Sequence, residues 1–307
     1  MRCLVTGGGG YIGSHVVDML IDQGLETYVL ASGFRSKNHP SIVNRKANVV
    51  QGDLRDYSTL EKATKNIDLV FHFAAVLSHY CDNDPELTID INIKGTWNLK
   101  KACVQNRVER ILFASSSFVY GEPETIPVDE DHPTNPKDIL GITKLAAEKI
   151  LQSTRPSSIK YTILRLFNVY GPRQYTDQLY TSVISTWVAK ALRKESLEIH
   201  ADGKQSLDFV YVEDVAQAFI DCMYKTAENQ IFNVGSGTTT SMNRLAELIN
   251  KIVDNTEPSH YNAKHPAYLK HVQADTQKIE NQVDWHPKVK LTEGLEKTAQ
   301  FFKERKQ

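Results

Sequence analysis

Cysteine is scarce in this chain and scattered. Cys3, Cys81, Cys103 and Cys222 are the four present, and none sits in a Cys-x-x-Cys pair or at Cys/His ligand spacing. No disulfide framework and no metal site is expected, and a reducing cytoplasm suits the chain best. An excess of one charge is also missing. The 36 basic and 37 acidic residues leave a formal net charge of -1, so no basic face is offered to nucleic acid or to an anionic membrane. No apolar run reaches membrane-spanning length, and the opening MRCLVTGGGG enters an apolar strand without the charged, apolar and cleavage regions of a signal peptide. Internal repeats and low-complexity stretches are absent as well. These absences point to a cytoplasmic protein whose partner is a small molecule.

What is present is enough apolar sequence for a large core, 41% hydrophobic over 307 residues. Short β-rich runs at Cys3 to Thr6, Thr27 to Ala31, Val49 to Gln51, Leu69 to Phe73, Ile111 to Ala114 and Tyr161 to Leu166 read as buried strands. Amphipathic stretches such as Ile12 to Gln23 and Leu87 to Gln105 read as the helices between them. Repeated strand and helix units predict right-handed crossovers and an α/β, doubly wound parallel sheet covered on both faces. After Tyr170 to Pro172 the alternation loosens. The expected division is a dinucleotide-binding domain over 1–170, with segments of about 208–235 returning to it, and a smaller C-terminal substrate-binding lobe over most of 171–307.

Gly7, Gly10 and Gly13 follow a predicted strand directly and open a helix. Such a turn lets backbone amides and a helix N-terminus approach a pyrophosphate, because residues without a Cβ tolerate the close contact and positive φ. A bound dinucleotide is the expected use, with Tyr11 and Ile12 in the same turn.

The Gly-x-x-Gly-x-x-Gly spacing in TGGGGYIGSH resembles that of the extended short-chain dehydrogenases, the NAD-dependent epimerase/dehydratase family that modifies nucleotide-sugars, and the resemblance continues over almost the whole chain. Gly52-Asp53-Leu54 is similar to the family's adenine-contacting turn, Phe73-Ala74-Ala75 to its nicotinamide-side strand end, and Asn92-Ile93-Lys94-Gly95-Thr96 to its central helix motif. Ser115-Ser116-Ser117-Phe118-Val119-Tyr120-Gly121 resembles the active-site serine strand, with Ser116 in register with the catalytic hydroxyl and Ser117 beside it. Phe167, Asn168, Val169 and Arg173 lie in a further signature, Arg165 to Arg173. The resemblance implies a Rossmann fold, a nicotinamide cofactor held by these residues and by Lys144, and a homodimer formed through helices equivalent to Leu87 to Gln105 and Lys137 to Gln152.

Three positions depart from the family pattern. The family's chemistry uses a Tyr-x-x-x-Lys pair, one helical turn apart; here the segment reads Leu140-Gly141-Ile142-Thr143-Lys144, and leucine moves no proton. The loop Ser78-His79-Tyr80-Cys81-Asp82 offers replacements, His79 and Tyr80 first among them with Ser78 and Cys81 against the substrate, and Asp138 precedes the helix. Secondly, the strand Thr27 to Ala31 ends in Ala31-Ser32-Gly33 without the acidic residue that binds the adenosine ribose. Ser32, Arg35 and Lys37 then suit a 2′-phosphate, which favours NADP over NAD. Thirdly, the arginine that grips a nucleotide-sugar diphosphate before Asp208-Phe209-Val210 is Leu207, and the second is replaced by His265, Lys270 and His271 before Ala274-Asp275. Asn168, Arg173 and Lys204 remain as substrate contacts.

Three functional readings stay open. The first is an NAD(P)-dependent epimerase/dehydratase-like enzyme acting on a sugar or nucleotide-sugar by hydride transfer. The second is a family member working on a non-nucleotide substrate by dehydration, isomerisation or carbonyl reduction. The third is an NAD(P)-binding protein without catalysis.

Overall fold

Seven strands form one parallel sheet because its central strands carry apolar side chains toward both faces, while the edge strand keeps exposed positions such as Val49. The computed structural model describes residues 1–32, 43–77, 79–155, 157–174, 182–224, 227–263 and 270–304, with the backbone alone at 79 and 80. The sheet strands are β1 (Arg2–Thr6), β2 (Glu26–Ala31), β3 (Asn48–Gln51), β4 (Leu69–His72), β5 (Arg110–Ser116) and β6 (Lys160–Leu166), joined later by β10 (Gln230–Val234). Their order is β10-β6-β5-β4-β1-β2-β3, every pair parallel. Alternation splits the core in two: Cys3, Val5, Phe71 and Leu112 face one layer, Leu4, Val70, Ile111 and Phe113 the other.

The first layer is closed by α1 (Tyr11–Asp22), packed on α8 (Val212–Tyr224). The second is closed by α2 (Tyr57–Ala63), α5 (Thr96–Gln105) and α6 (Ile139–Gln152). Short helices α3 (His79–Asn83) and α4 (Pro85–Ile89) lead into α5. The expected continuous helix from Leu87 to Gln105 is therefore interrupted, for Asp90–Gly95 between α4 and α5 is a π-helix. Local chemistry starts several of these helices: Asp56 caps α2, Asp138 caps α6, and Asp84 followed by Pro85 starts α4.

The smaller lobe is built from β7 (Asn168–Tyr170), α7 (Val183–Leu192), β8 (Glu198–His200), β9 (Ser206–Tyr211), β11 (Thr239–Ser241), α9 (Met242–Ile252), β12 (His260–Asn262) and β13 (His271–Val272). β9 is central, flanked by β7, β11 and β13, and β8 pairs with β12. Its own core gathers Ile184, Trp187, Phe209, Tyr211, Leu245 and Leu295, the last from α11 (Leu291–Glu304). α10 (Gln277–Val283) returns to the larger core through Ile279. In the segment from about 208, β9 pairs in the small sheet while its Val210 joins the first-layer core, and α8 packs on the large sheet that β10 joins.

Candidate active site

The strand order reverses between β1 and β4, so their C-terminal ends leave a crevice in which this architecture places ligands. Gly7 stands at its floor with φ +71°, and a Cβ there would lie 2.7 Å from the amide nitrogen of Ala74. A Cβ on Gly13 would lie 2.4 Å from the Gly7 carbonyl oxygen. Glycine is thus required by the turn's own backbone. Gly10 precedes α1 with no side chain capping the helix and no acidic residue in the first turn, which leaves the helix N-terminus for an external anion. Tyr11 and Ile12 open that helix, and Phe73, Ala74 and Ala75 follow β4 opposite it, with the Phe73 amide on Thr6 O at 3.0 Å. These residues fit a dinucleotide pyrophosphate.

On the adenosine side, Ser32 is exposed at the end of β2, and Arg35 and Lys37 lie outside the described residues. Asp53 is engaged locally: its carboxylate accepts from the Arg55 backbone and guanidinium at 2.7 to 3.0 Å, and that bonding pulls its pKa below the ordinary range. Leu54 is buried, and a Cβ on Gly95 would meet it at 2.8 Å, so the turn after β3 is fixed against the helices of the second layer.

The nicotinamide side is built on β5 and α6. Ser116 is half-buried at the strand end, and its Oγ accepts from the Phe118 amide at 3.2 Å, which keeps its own hydrogen for another acceptor. Ser117 is buried and begins the following turn. Leu140 and Lys144 lie one turn apart on α6. The Lys144 Nζ donates to Ala114 O at 2.7 Å and stands 4.9 Å from the centre of the Phe113 ring. Burial drives its pKa down to about 8, with Cys81 and Glu148 opposing the shift. Asp138 accepts from the Gly141 amide at 2.7 Å, which makes it the cap of α6. The Cys81 thiol is buried, donates to Val76 O, and is pushed up by desolvation. Ser78 and the side chains of His79 and Tyr80 lie outside the described residues.

Buried polar groups hold this arrangement, and sequence reading assigned no role to several of them. Glu148, one turn beyond Lys144, pairs with Arg165 of β6 at 2.9 Å and accepts the Ser115 hydroxyl. Arg165 also donates to the Tyr120 hydroxyl, which donates to Asn233. The spacing of Lys144 and Glu148 on one helix face was the available signal, but their partners are distant in sequence. His72 bridges Thr6 and Thr96. Because the Thr96 hydroxyl is already donated to Asn92 O, it accepts the Nε2 hydrogen of His72, and Thr6 donates to Nδ1. His72 is neutral, its pKa driven to about 3 by burial and by the Lys144 charge. Asn92 accepts the Val76 amide at 2.7 Å and donates to Val76 O and Thr143, tying the loop after β4 to α6.

The expected substrate contacts are dispersed. Asn168 donates to Asp208 O at 2.9 Å. Arg173 turns to α1, pairing with Asp18 at 2.6 Å and donating to Ser14 at 3.2 Å, while Asp18 also receives Asn44. Lys204 pairs with Asp202 on an exposed surface. Phe167 is buried and Val169 half-buried on the path between the lobes. Leu207 is half-buried in β9, His271 bonds Ser206, and His265 lies outside the described residues. Among the described residues no group of His, Cys, Asp or Glu is arranged to hold a metal ion, and no helix is long and apolar enough to cross a membrane.

Comparison with known proteins agrees with this geometry. The model of the NAD dependent epimerase/dehydratase family matches residues 3–235. A putative UDP-glucose 4-epimerase of Methanocaldococcus jannaschii is 36% identical, the match covering 98% of both chains. The crystal structure of the Thermotoga maritima UDP-glucose 4-epimerase with UDP-glucose superposes with a TM-score of 0.94 at 32% identity, covering 100% of each chain. That of the Thermus thermophilus UDP-glucose 4-epimerase complexed with NAD gives 0.89 at 31% identity, covering 99% of each.

Proposed function

The chain belongs to the NAD-dependent epimerase/dehydratase family, and from that premise we propose that it oxidises a secondary alcohol of a nucleotide-linked sugar and reduces the product again, an epimerase-type cycle. The observation that carries the reading is the pairing of an uncapped glycine turn at α1 with Ser116 and the buried Lys144 across the same crevice. When bound, the nicotinamide supplies the hydride acceptor and donor. The chain's residues do the rest. Amides of the first turn of α1 bind the pyrophosphate, Ser116 donates to the reacting oxygen, and Lys144 holds the nicotinamide ribose.

For the cofactor we propose NAD. The preference for NADP that Ser32 and Arg35 suggest finds no support in the described residues, and the Thermus structure holds NAD. A homodimer through α4, α5 and α6 belongs to the same proposal; Ile89 and Ile142, each 46% exposed, lie on these helices. So does a cytoplasmic setting, in keeping with four buried free cysteines.

A second reading has an observation of its own. Leu207 stands where family members place an arginine and Arg173 is turned to Asp18, so a non-nucleotide sugar is the alternative substrate. One experiment separates the readings. The purified protein, loaded with NAD, is offered a panel of UDP-sugars and the corresponding free sugars, and products are read by proton NMR. Conversion of a UDP-sugar to its epimer supports the first reading, and conversion of free sugars alone supports the second. Cofactor binding without any conversion refutes both and leaves a binding role.

A further inference from the structure

Leucine at 140 removes the phenol but not the need for a proton acceptor, since an alcohol loses a proton as well as a hydride on oxidation. We propose that the acceptor in this chain is the Lys144 amine. This rests on the hydride-transfer reading above. The alcohol O–H bond breaks and its proton joins the Nζ lone pair, while the adjacent C–H bond gives its electron pair as hydride to oxidised nicotinamide; ketone, reduced cofactor and ammonium result. The return step reverses each transfer.

The surroundings of Lys144 favour the neutral amine. Its side chain is buried, and among the described residues its hydrogen-bond acceptor is one carbonyl, Ala114 O at 2.7 Å. A buried ammonium needs an anion or three acceptors, and among the described residues the packed elements supply neither. On α6, Glu148 is committed to Arg165 and Ser115, and Asp138 to the Gly141 amide. On α3, Cys81 is a thiol kept protonated by burial; on β4, His72 is neutral. On β5, the Phe113 ring gives a cation only a weak face contact at 4.9 Å. A neutral amine, by contrast, satisfies the site: one N–H to Ala114 O, the second for the cofactor ribose, and a lone pair for the proton. The low pKa of Lys144 agrees with this count.

The test uses the full chain with NAD. Carbon-13 NMR of protein labelled at the lysine ε-carbon, with the Lys144 signal identified by its loss in Lys144→Arg, is expected to show a midpoint near 8; a midpoint at the ordinary lysine value of about 10.4 overturns the proposal. Single-turnover oxidation followed by reduced-nicotinamide absorbance is expected to fall about tenfold per pH unit below that midpoint. Lys144→Arg keeps a cation but takes up no proton, and should lower the rate by about 10²-fold or more, while isothermal titration shows NAD still bound. Leu140→Tyr in the Lys144→Arg background should return part of that rate. Oxidation in Lys144→Arg with an unchanged pH profile overturns this inference alone, as does a profile that vanishes in His79→Gln or Tyr80→Phe while Lys144→Arg stays active. No oxidation by the unaltered protein overturns the functional reading and this inference with it.

Discussion

The pair Glu148–Arg165 joins α6 to β6 beneath the serine strand, and its removal should be felt as one unit. The side chains are 0% and 3% exposed and meet at 2.9 Å, with a second contact from Arg165 Nε to the carboxylate at 3.1 Å. Glu148→Leu leaves the guanidinium facing only neutral groups, the Tyr120 hydroxyl and Glu130 O, and strips Ser115 of its acceptor. Breaking one side of a buried pair costs about 3–5 kcal/mol, and Arg165→Met, which strands the carboxylate, should cost a similar amount. The double variant Glu148→Leu/Arg165→Met removes both charges from an apolar setting, so its loss should be smaller than the sum of the singles by about 2 kcal/mol or more. Urea unfolding at neutral pH, read by midpoint at constant slope, measures all four corners of the cycle. If Glu148→Leu costs under about 1 kcal/mol, or the two losses simply add, the pair is not a coupled buried unit.

Three further outcomes follow from the site. Gly13→Ala places a Cβ 2.4 Å from the Gly7 carbonyl oxygen, and NAD affinity by titration calorimetry should fall beyond detection; retained binding would show that the turn yields. The buried Lys144, with a folded pKa of about 8 against 10.5 for a free lysine, binds fewer protons folded than unfolded between those values, so stability rises with pH through that window and the full penalty stands below it, about 3 kcal/mol. Lys144→Met should therefore gain on the unaltered protein most at pH 7 and least near pH 10 in denaturant unfolding, and a constant gap would contradict the burial argument. His72 and His15, with pKa values driven down to about 3 and about 4 chiefly by burial, leave the unfolded state binding more protons from about pH 6.5 downward. Stability should drop across that range, and His72→Asn should flatten part of the slope.

Backbone requirements were the legible part of this protein. Gly7 and Gly13 reveal a turn because a Cβ fits at neither, and two-sided apolar runs reveal a parallel sheet because nothing else buries them. That Leu140 stands where the resemblance places a phenol is read from the sequence alone. Partnership was not legible. That Asp53 pairs with Arg55, and Arg173 with Asp18 on a helix at the other end of the larger domain's sequence, is visible only in the structure. Glu148 and Arg165 carry no local signature, for a buried charge reveals itself only through the opposite charge it meets. The pairing of β9 with the small sheet was not legible, because strand propensity says nothing about which neighbour a strand will choose.

The π-helix at Asp90–Gly95 turns a question of length into one of angle. An α-helix advances about 100° per residue, so one residue more or less in that turn swings everything beyond it by roughly a quarter of a circle. As built, the chain points Asn92 at Val76 and Thr143 while Leu99 and Cys103 enter the core and Lys100 reaches the carbonyl of Ile150. A regular helix cannot satisfy both sets from this stretch of sequence. Deleting a single residue between 90 and 95 would shorten nothing of importance, yet it would rotate either the active-site loop's anchor or the α5 core face out of position.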